Sequence, residues 1–392
     1  MPLFADLLLR GVLAATLFVG DHCMFTLNQS SSAMSASEQE PWNSPRRELD
    51  ASRRPALRHA YKDGFALSPD GRVIVVALAS QPRNELMIID VSRQTALTIR
   101  HPSRQVLLTD ITFHPSGGSF ALVVTPLGLF GVSEMIEVDL QGQQIRRVGE
   151  RFRSYRHPAF SPDGAQLAYF RDNEANAAVR PDVRRPEYRE YLAWSAYEFA
   201  LSGSREKAAD DRLWSVVCGL NYDPRNNDLY LCAGLPRRAS SGSGRYLLGQ
   251  DVGEAAASLK DDRVHRVKRS SSDAAPVVFR HPDLSYVTLH DIGPDGSAIV
   301  TAQLSSGLER GRTMGVRVEP SGAYRVLGAP GLSVYQLRAS SDALVIAGTG
   351  RPLGAKPQDE VLFIQRHGES APQIIEPRLL RQSAKVLQPY GS

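Results

Sequence analysis

Residues 160–170 read Phe-Ser-Pro-Asp-Gly-Ala-Gln-Leu-Ala-Tyr-Phe, a tight turn followed by a short apolar strand. Proline presets the first corner position of a turn, aspartate hydrogen-bonds back to the nearby backbone, and glycine supplies a positive φ. The apolar and aromatic residues after the turn are typical of a strand that is buried among neighbours. A single unit of this kind is compatible with many folds, but this one recurs along the chain.

Five further copies of the turn-and-strand unit are present. Their turns lie at residues 65–71, 113–117, 222–226 and 292–296, with a worn copy at 337–342. Residues 69, 115, 162, 224 and 294 are the turn prolines, spaced 46, 47, 62 and 70 residues apart. A repeat of about 40–50 residues with several short strands is the size of one propeller blade. The sequence therefore predicts an all-β protein, a single six-bladed β-propeller with four-stranded antiparallel blades, over residues 59–376.

The repeat also resembles a known family. The turn and its strand, followed by Met87-Ile88-Ile89-Asp90 in one copy and Ile136-Glu137-Val138-Asp139 in another, resemble the TolB-like (WD-type, PD40) β-propeller repeat. The resemblance implies the fold, but it implies little about function, because that repeat serves many unrelated roles. TolB has a further domain before its propeller, and residues 37–58 are too short to form one. A role in the Tol-Pal system is therefore not implied.

The amino-terminal residues 1–36 lack the blade pattern. An apolar run at residues 11–20 follows Arg10; it is too short to span a bilayer but suits a secretory signal. A small-residue cleavage site could lie at residues 31–33. The alternative is an over-extended start, with translation beginning at Met34. We expect a periplasmic or secreted protein without a transmembrane span in the mature chain, or a cytoplasmic one if Met34 is the start.

The remaining segments and the composition set further expectations. Residues 37–58, rich in Ser, Pro and Arg, are predicted to be a disordered lead-in. Residues 377–392 form a carboxy-terminal tail that could either pair with the first blade or extend freely. The formal net charge of +4 is small for 392 residues, so no nucleic-acid partner is expected.

Motifs that would identify an enzyme are missing from the sequence. It contains no G-x-S-x-G elbow, H-E-x-x-H helix, EF-hand loop, P-loop or dinucleotide fingerprint. Peptidase activity is not expected, although prolyl-oligopeptidase-type enzymes carry a propeller. The predicted function is a non-catalytic, exported scaffold that binds another protein and needs no cofactor. The alternatives are a propeller hydrolase or lactonase with a metal in the central channel, and a sensor that binds a small ligand or peptide there.

Two polar residues could face the central channel. Asp110 and His157 both lie five residues before the turn proline of their repeat, where the other copies have Gly64, Gly219 and Leu289. They could form part of a cation or ligand site at the channel mouth. The alternative is that both satisfy backbone groups of neighbouring blades, or solvent.

Two insertions interrupt the repeat and could bind a partner. The insertion in blade three, at about residues 172–191, interleaves cations with aromatic side chains, a composition common at interface hot spots. Its candidate contact residues are Arg180, Arg184, Arg185, Tyr188, Arg189, Tyr191 and Trp194. The alternative is a loop that folds onto its own blade. The insertion in blade four, residues 235–261, is rich in Ser, Gly and Arg, and reads as a solvated loop or a basic contact for an anionic partner.

Two of the three cysteines could form a disulfide. Cys218 and Cys232 flank the turn at Pro224 almost symmetrically, so a two-stranded hairpin would place them about opposite each other. An exported protein could oxidise the pair. The alternative is that both are small buried apolar residues at positions where other copies use alanine.

Overall fold

The computed structural model describes the following parts of the chain: residues 64–78, 84–127, 133–172, 194–203, 205–210, 213–214, 217–233, 236–237, 263–267, 277–279, 283–305, 312–328, 331–355, 360–369 and 371–390. Within these residues the regular elements are strands, apart from one turn of 3-10 helix at Pro377–Leu379. Accordingly, none of the described elements is a helix long and apolar enough to cross a membrane. The predicted signal at 1–36 and lead-in at 37–58 lie outside the described residues.

The described strands form six sheets. Sheet one contains β1 (Phe65–Leu67), β2 (Val73–Leu78), β3 (Glu85–Asp90) and β4 (Thr95–Arg100). Sheet two contains β5 (Val106–Phe113), β6 (Ser119–Pro126), β7 (Ser133–Asp139) and β8 (Gln144–Arg153). Sheet three contains β9 (Tyr155–Phe160), β10 (Gln166–Asp172), β11 (Trp194–Ala200), β12 (Arg205–Ala208) and β13 (Leu213–Trp214).

The second half of the chain continues the pattern. Sheet four contains β14 (Val217–Tyr222), β15 (Leu229–Ala233), β17 (Arg263–Val267) and β18 (Val277–Phe279), while β16 (Pro236–Arg237) joins sheet three by pairing with β13. Sheet five contains β19 (Leu284–Ile292), β20 (Ala298–Leu304), β21 (Thr313–Val318) and β22 (Tyr324–Leu327). Sheet six contains β23 (Leu332–Ala339), β24 (Val345–Pro352), β25 (Val361–Arg366) and β26 (Gln373–Ile375).

The fold is an all-β propeller with four-stranded antiparallel blades. Sheets two, four, five and six are four-stranded and antiparallel, with strands in chain order. The first strand of each sheet contacts the first strand of the next, and β23 of sheet six contacts β1 of sheet one. The first strands therefore surround a common axis, as in a propeller.

The hydrophobic core lies between the sheets. Six clusters of buried side chains each combine residues of two neighbouring sheets, including one in which Phe65 and Ile74 of sheet one join Leu362 and Ile364 of sheet six. The second strands are buried on both faces for this reason, which explains their nearly continuous apolar sequence. No sheet could bury both faces alone, so the sheets stabilise one another.

The repeated turn has the predicted geometry. Gly71, Gly164 and Gly296 have φ of 71°, 70° and 82°, and in the worn copy Ala343 takes the same place with φ of 57°. In the two Ser-Pro-Asp-Gly copies the serine hydroxyl donates to the aspartate carboxylate, from Ser68 to Asp70 at 2.6 Å and from Ser161 to Asp163 at 2.5 Å. The same carboxylates accept the backbone N–H of Arg72 at 3.1 Å and of Ala165 at 3.0 Å, which confirms the aspartate-to-backbone bonds predicted from the sequence.

The carboxy-terminal tail belongs to the first sheet. Strand β27 (Arg381–Val386) pairs in parallel with β4 and adds a fifth strand to sheet one. Leu380, before the strand, packs on the cluster between sheets six and one, and Leu387, after it, is buried between sheets one and two. Of the two options left open for residues 377–392, the structure shows pairing with sheet one.

Candidate functional site

The first strands of sheets two to six contain β-bulges. In sheets two to six the pairing of the first strand with the second shifts register, as at a β-bulge. Asp110, His157 and Gly219, each five residues before the turn proline, have positive φ of 51°, 50° and 142°. A bulge leaves backbone groups outside the regular ladder, and these groups need partners from a neighbouring sheet.

Asp110 and His157 lie side by side in adjacent first strands. Asp110 Oδ1 accepts a hydrogen bond from the backbone N–H of His157 at 2.8 Å, and His157 Nδ1 lies 3.8 Å from the same oxygen. The two side chains are only 7% and 12% exposed. The carboxylate therefore joins sheet two to sheet three, as the alternative interpretation expected. A cation or ligand role for the pair stays a prediction.

Gly219 occupies the same repeat position in sheet four. A Cβ atom there would lie 2.1 Å from the carbonyl oxygen of Leu289 in sheet five. This close approach, together with the positive φ, accounts for glycine at a position where sheets two and three have polar side chains.

Cys218 and Cys232 lie within disulfide range. Their Cα atoms are 5.0 Å apart, with the two sulfur atoms facing each other. Gly219 pairs with Cys232 and Val217 with Ala233, so Cys218 is the extra residue of the bulge. Both side chains are buried in the cluster between sheets four and five. The proximity predicted from the sequence is present, and the bulge brings it about.

Sequence reasoning missed a second polar group of the first strands. Asn221, Asp291 and Arg338 each lie three residues before the turn proline or its counterpart, Ser341, in consecutive sheets. Asn221 Nδ2 donates to Asp291 Oδ1 at 2.8 Å, and Asp291 Oδ2 accepts the backbone N–H of Ala339 at 2.8 Å. Asp291 therefore bonds to sheets four and six at once. The available signal was the run of polar residues at this position, against Ala66, Thr112 and Ala159 in the other copies.

Burial and the neighbouring positive charge have opposite effects on the pKa of Asp291. Burial raises the pKa of the Asp291 carboxyl, and the Arg338 guanidinium and the hydrogen bonds from Ala339 and Asn221 reduce the effect without cancelling it. Arg338 Nη1 is fixed by the carbonyl oxygen of His290 at 3.0 Å and lies 3.2 Å from His290 Nδ1. His290 Nε2 lies 2.9 Å from Thr301 Oγ1, so this network continues into the second strand of sheet five.

A third polar cluster lies within sheet three. Tyr169 Oη donates to Glu206 Oε1 at 2.5 Å, and Arg171 forms an ion pair with the same carboxylate. The Arg171 guanidinium carbon lies 3.9 Å from the ring centroid of Tyr197. Burial raises the pKa of Glu206, and burial and the neighbouring Glu206 charge raise the pKa of Tyr169. The cluster holds β12 against β10 and β11.

The predicted contact loop is described only at its end. Arg180, Arg184, Arg185, Tyr188, Arg189 and Tyr191 lie outside the described residues. Trp194 begins β11 and is 6% exposed, packed in the cluster between sheets three and four. The guanidinium carbon of Arg156 lies 5.4 Å from its ring centroid. Trp194 therefore packs inside the propeller, and the interface prediction for the rest of the loop stays a prediction.

Among the described residues, no three His, Cys, Asp or Glu side chains converge in the way that would hold a metal ion. The polar groups of the first strands instead meet in pairs across sheet boundaries. What this arrangement does chemically is to satisfy backbone N–H groups of the neighbouring first strand and to fix one sheet against the next.

Comparison with known proteins assigns no family to the chain. No family model matches the sequence, and no curated protein matches it. Solved structures give distant matches. TolB from Acinetobacter baumannii is 12% identical with a TM-score of 0.49, and the match covers 79% of this chain and 64% of that chain, which is less than two thirds of its length.

Two further matches are enzymes. An oligogalacturonate lyase from Vibrio parahaemolyticus is 12% identical with a TM-score of 0.46, covering 81% of this chain and 77% of that chain. A puromycin-hydrolyzing peptidase from Mycobacterium tuberculosis is 12% identical with a TM-score of 0.46, covering 78% of this chain and 42% of that chain. These proteins differ in function, and at such identities the likeness concerns the fold alone.

Proposed function

We propose that the protein is a non-catalytic β-propeller scaffold that binds another protein. The observation that carries the proposal is the engagement of Asp110 with the backbone N–H of His157. This carboxylate joins two sheets, which is a structural role. The same applies to Asp291, which accepts hydrogen bonds from Asn221 and Ala339. Polar groups of the first strands thus support the scaffold.

We propose further that the ring has six blades of the TolB-like type. Six sheets with six shared hydrophobic clusters, and first strands that contact one another in sequence, support this number. The repeated proline turn supports the TolB-like type. A seventh blade would need another copy of that turn, and the sequence has six.

The partner-binding surface is proposed to be the blade-three insertion around Arg184, Arg185, Tyr188 and Arg189. Its supports are its composition and its place between β10 and β11, whose ends at Asp172 and Trp194 lie next to each other. Loops that interrupt a repeat often carry the binding function on a rigid scaffold.

The loop proposal is tested by a triple substitution of Arg184, Arg185 and Arg189 to Ala. The matched control replaces Arg237, Arg238 and Arg245 in the blade-four insertion. Partners captured from the source cells by the wild type are identified by mass spectrometry, and their affinity is then measured. We expect binding at least about tenfold weaker for the first variant and unchanged for the control. Equal affinity for both variants would remove the loop from the proposal.

Export is proposed on the apolar run at residues 11–20 and on the proximity of Cys218 and Cys232, which an oxidising compartment would allow to bridge. The mass of the mature protein tests this, because cleavage near residue 33 and a bridge each change it. A chain that keeps residues 1–33 would contradict export. Cleavage after Ala33 and translation from Met34 leave the same amino terminus, so fractionation of the source cells separates these two cases, and recovery from the cytoplasm alone would contradict export.

A metal-dependent hydrolase is the second candidate. The 3.8 Å separation of Asp110 Oδ1 and His157 Nδ1 is the observation that favours it, since two ligand atoms are already close. Elemental analysis of the purified protein separates the two functions. A stoichiometric divalent ion that is lost in Asp110→Ala would favour the hydrolase.

A further inference from the structure

The carboxy-terminal strand β27 leaves one edge open. It has a single partner strand among the described residues, β4. The backbone N–H of Arg381 donates to the oxygen of Gln94 at 3.2 Å and that of Leu387 to the oxygen of Arg100 at 2.8 Å. Because backbone groups alternate in direction along a strand, Ser383 and Lys385 also face β4. Gln382, Ala384 and Val386 therefore direct their N–H and C=O groups away from it.

The open edge already pairs with another segment at one end. The N–H of Gln388 donates to the oxygen of Gly142 at 3.0 Å, and the N–H of Gln144 donates to the oxygen of Gln388 at 2.9 Å. Gln143 and Gln388 form a parallel bridge there. This edge can therefore accept an added parallel strand. Within the described residues, the backbone groups of Gln382, Ala384 and Val386 have no such partner.

The side chains of this edge are basic. All six residues of β27 are exposed. Arg381 and Lys385 lie on the same face of the strand, four residues apart, and neither forms an ion pair within the described residues; Lys385 Nζ lies 3.4 Å from Gln141 Oε1. Residues 377–390 contain no Asp or Glu. Two cations without counter-ions thus flank the open backbone groups.

Exposed apolar side chains accompany the basic ones. Leu379, Val386 and Tyr390 are 76%, 58% and 71% exposed, among the most exposed large apolar residues of the described part of the chain. An open groove of about 460 Å³ lies at the end of the strand, lined by Lys385–Pro389 and by Gln141 and Gln143 of sheet two. Exposed apolar side chains thus lie before, in and after the strand that carries the open edge.

The charges discriminate between possible occupants. A second copy of the chain that paired through β27 would bring Arg381 and Lys385 of the two copies together, and like charges on neighbouring strands are destabilising. A segment with acidic residues four apart would instead place a carboxylate beside each cation. Small or apolar residues between them would meet Ala384 and Val386.

We propose that the open edge of β27 binds an extended, acidic segment of a partner protein by β-strand addition. Main-chain hydrogen bonds to Gln382, Ala384 and Val386 supply the affinity, and Arg381 and Lys385 select the acidic segment. The inference rests on the proposed function as a protein-binding scaffold. It uses a surface other than the blade-three insertion, so failure of the loop experiment would leave it intact.

The experiment measures binding of a fluorescein-labelled, strand-length peptide to the full chain by anisotropy. The peptide has glutamates four residues apart with valine and serine between them. Two control peptides are used, one with lysine in place of glutamate and one N-methylated at alternate backbone positions. We expect saturable binding of the acidic peptide that weakens as salt is raised, and none of either control.

Protein variants locate the site. Arg381→Glu with Lys385→Glu is expected to weaken binding about tenfold, and Arg325→Glu on β22, another exposed edge cation, to leave it unchanged. Ala384→Pro removes one N–H from the open edge without removing a bond to β4, so the unfolding midpoint should be kept while binding weakens about tenfold.

Several outcomes would overturn the proposal. These are no binding of the acidic peptide, equal binding of the lysine peptide, or full binding by Ala384→Pro. A dimer of the free chain in sedimentation, dissociated by Ala384→Pro, would show that a second copy occupies the edge instead.

Discussion

The joint between sheets two and three and the joint between sheets five and six use the same chemistry with different residues. In the first, Asp110 accepts the backbone N–H of His157; in the second, Asp291 accepts the backbone N–H of Ala339. Both distances are 2.8 Å. In each case a carboxylate on one first strand satisfies a backbone donor on the next. The feature that recurs is therefore a backbone N–H that is bonded by a carboxylate of the preceding sheet. The repeat position of that carboxylate differs between the two joints.

The two joints differ in how many groups depend on the carboxylate. Asp110 lies in the bulge itself, and its carboxylate accepts the backbone N–H of His157 in sheet three. Asp291 lies two positions nearer the turn proline of its repeat, and it is bonded to Asn221 on one side and Ala339 on the other, with Arg338 close by. Removing Asp291 therefore affects three sheets.

The largest expected effect is that of Asp291→Ala. The substitution leaves the Ala339 N–H and the Asn221 amide without their acceptor and removes the negative charge near Arg338. We expect the free energy of unfolding to fall by about 3 kcal/mol. Urea unfolding followed by tryptophan fluorescence measures the change.

Asp291→Asn is the matched control for that loss. Its side-chain oxygen can still accept one of the two hydrogen bonds, so it should recover part of the stability lost in Asp291→Ala. If Asp291→Ala unfolds at the same urea concentration as the wild type, the hydrogen bonds of Asp291 to Asn221 and Ala339 do not stabilise the fold as predicted.

A smaller effect is expected for Asp110→Ala. One backbone N–H, that of His157, loses its acceptor, which should lower the free energy of unfolding by about 1.5 kcal/mol in the same assay. His157→Ala keeps that N–H and should cost less than Asp110→Ala. The reverse order would mean that the imidazole ring matters more than the backbone bond, contrary to the joint described here.

The propeller could be predicted from the sequence because its signal is repeated. Each copy of the proline turn combines local turn chemistry with an apolar strand, and six copies reinforce one another even where Ala343 replaces glycine. The pairing of β27 with β4 could not be predicted, since residues 381–386 are exposed and carry no alternating apolar pattern. Their position depends on Leu380 and Leu387, two anchors at the ends of the strand.

The polar joints were predictable only in part. Asp110 and His157 could be grouped because they share one repeat position, and their contact follows from it. Asp291 reaches the same kind of donor from a different position, because a bulge shifts the register by an amount that the sequence does not state. The position five residues before the turn proline therefore predicts the contact between Asp110 and His157 but not the one between Asp291 and Ala339.

The smallest expected effects are in the pH dependence of stability, where Asp291 and the nearby turn residue Asp295 should behave oppositely. Burial raises the pKa of Asp291. Burial also tends to raise the pKa of Asp295. The hydrogen bonds from Ser297 and the one from Arg317, whose Nη2 lies 2.5 Å from Asp295 Oδ2, outweigh this effect, so the pKa of Asp295 is lowered. The unfolded chain binds its proton at the ordinary aspartate value in both cases.

For Asp291 the folded protein stays protonated where the unfolded chain is already ionised. The stability of the wild type relative to Asp291→Asn should therefore be greatest in acid and fall as pH rises from the ordinary aspartate value of about 3.9 to the raised pKa. For Asp295, relative to Asp295→Asn, the stabilisation should be present above about pH 3.9 and be lost as pH falls below it. Because the Asp295 side chain is 49% exposed, its effect should be below about 1 kcal/mol. Urea midpoints of the three proteins between about pH 3 and pH 8 measure both slopes, and slopes of the same sign would contradict the difference between the enclosed carboxylate and the exposed one.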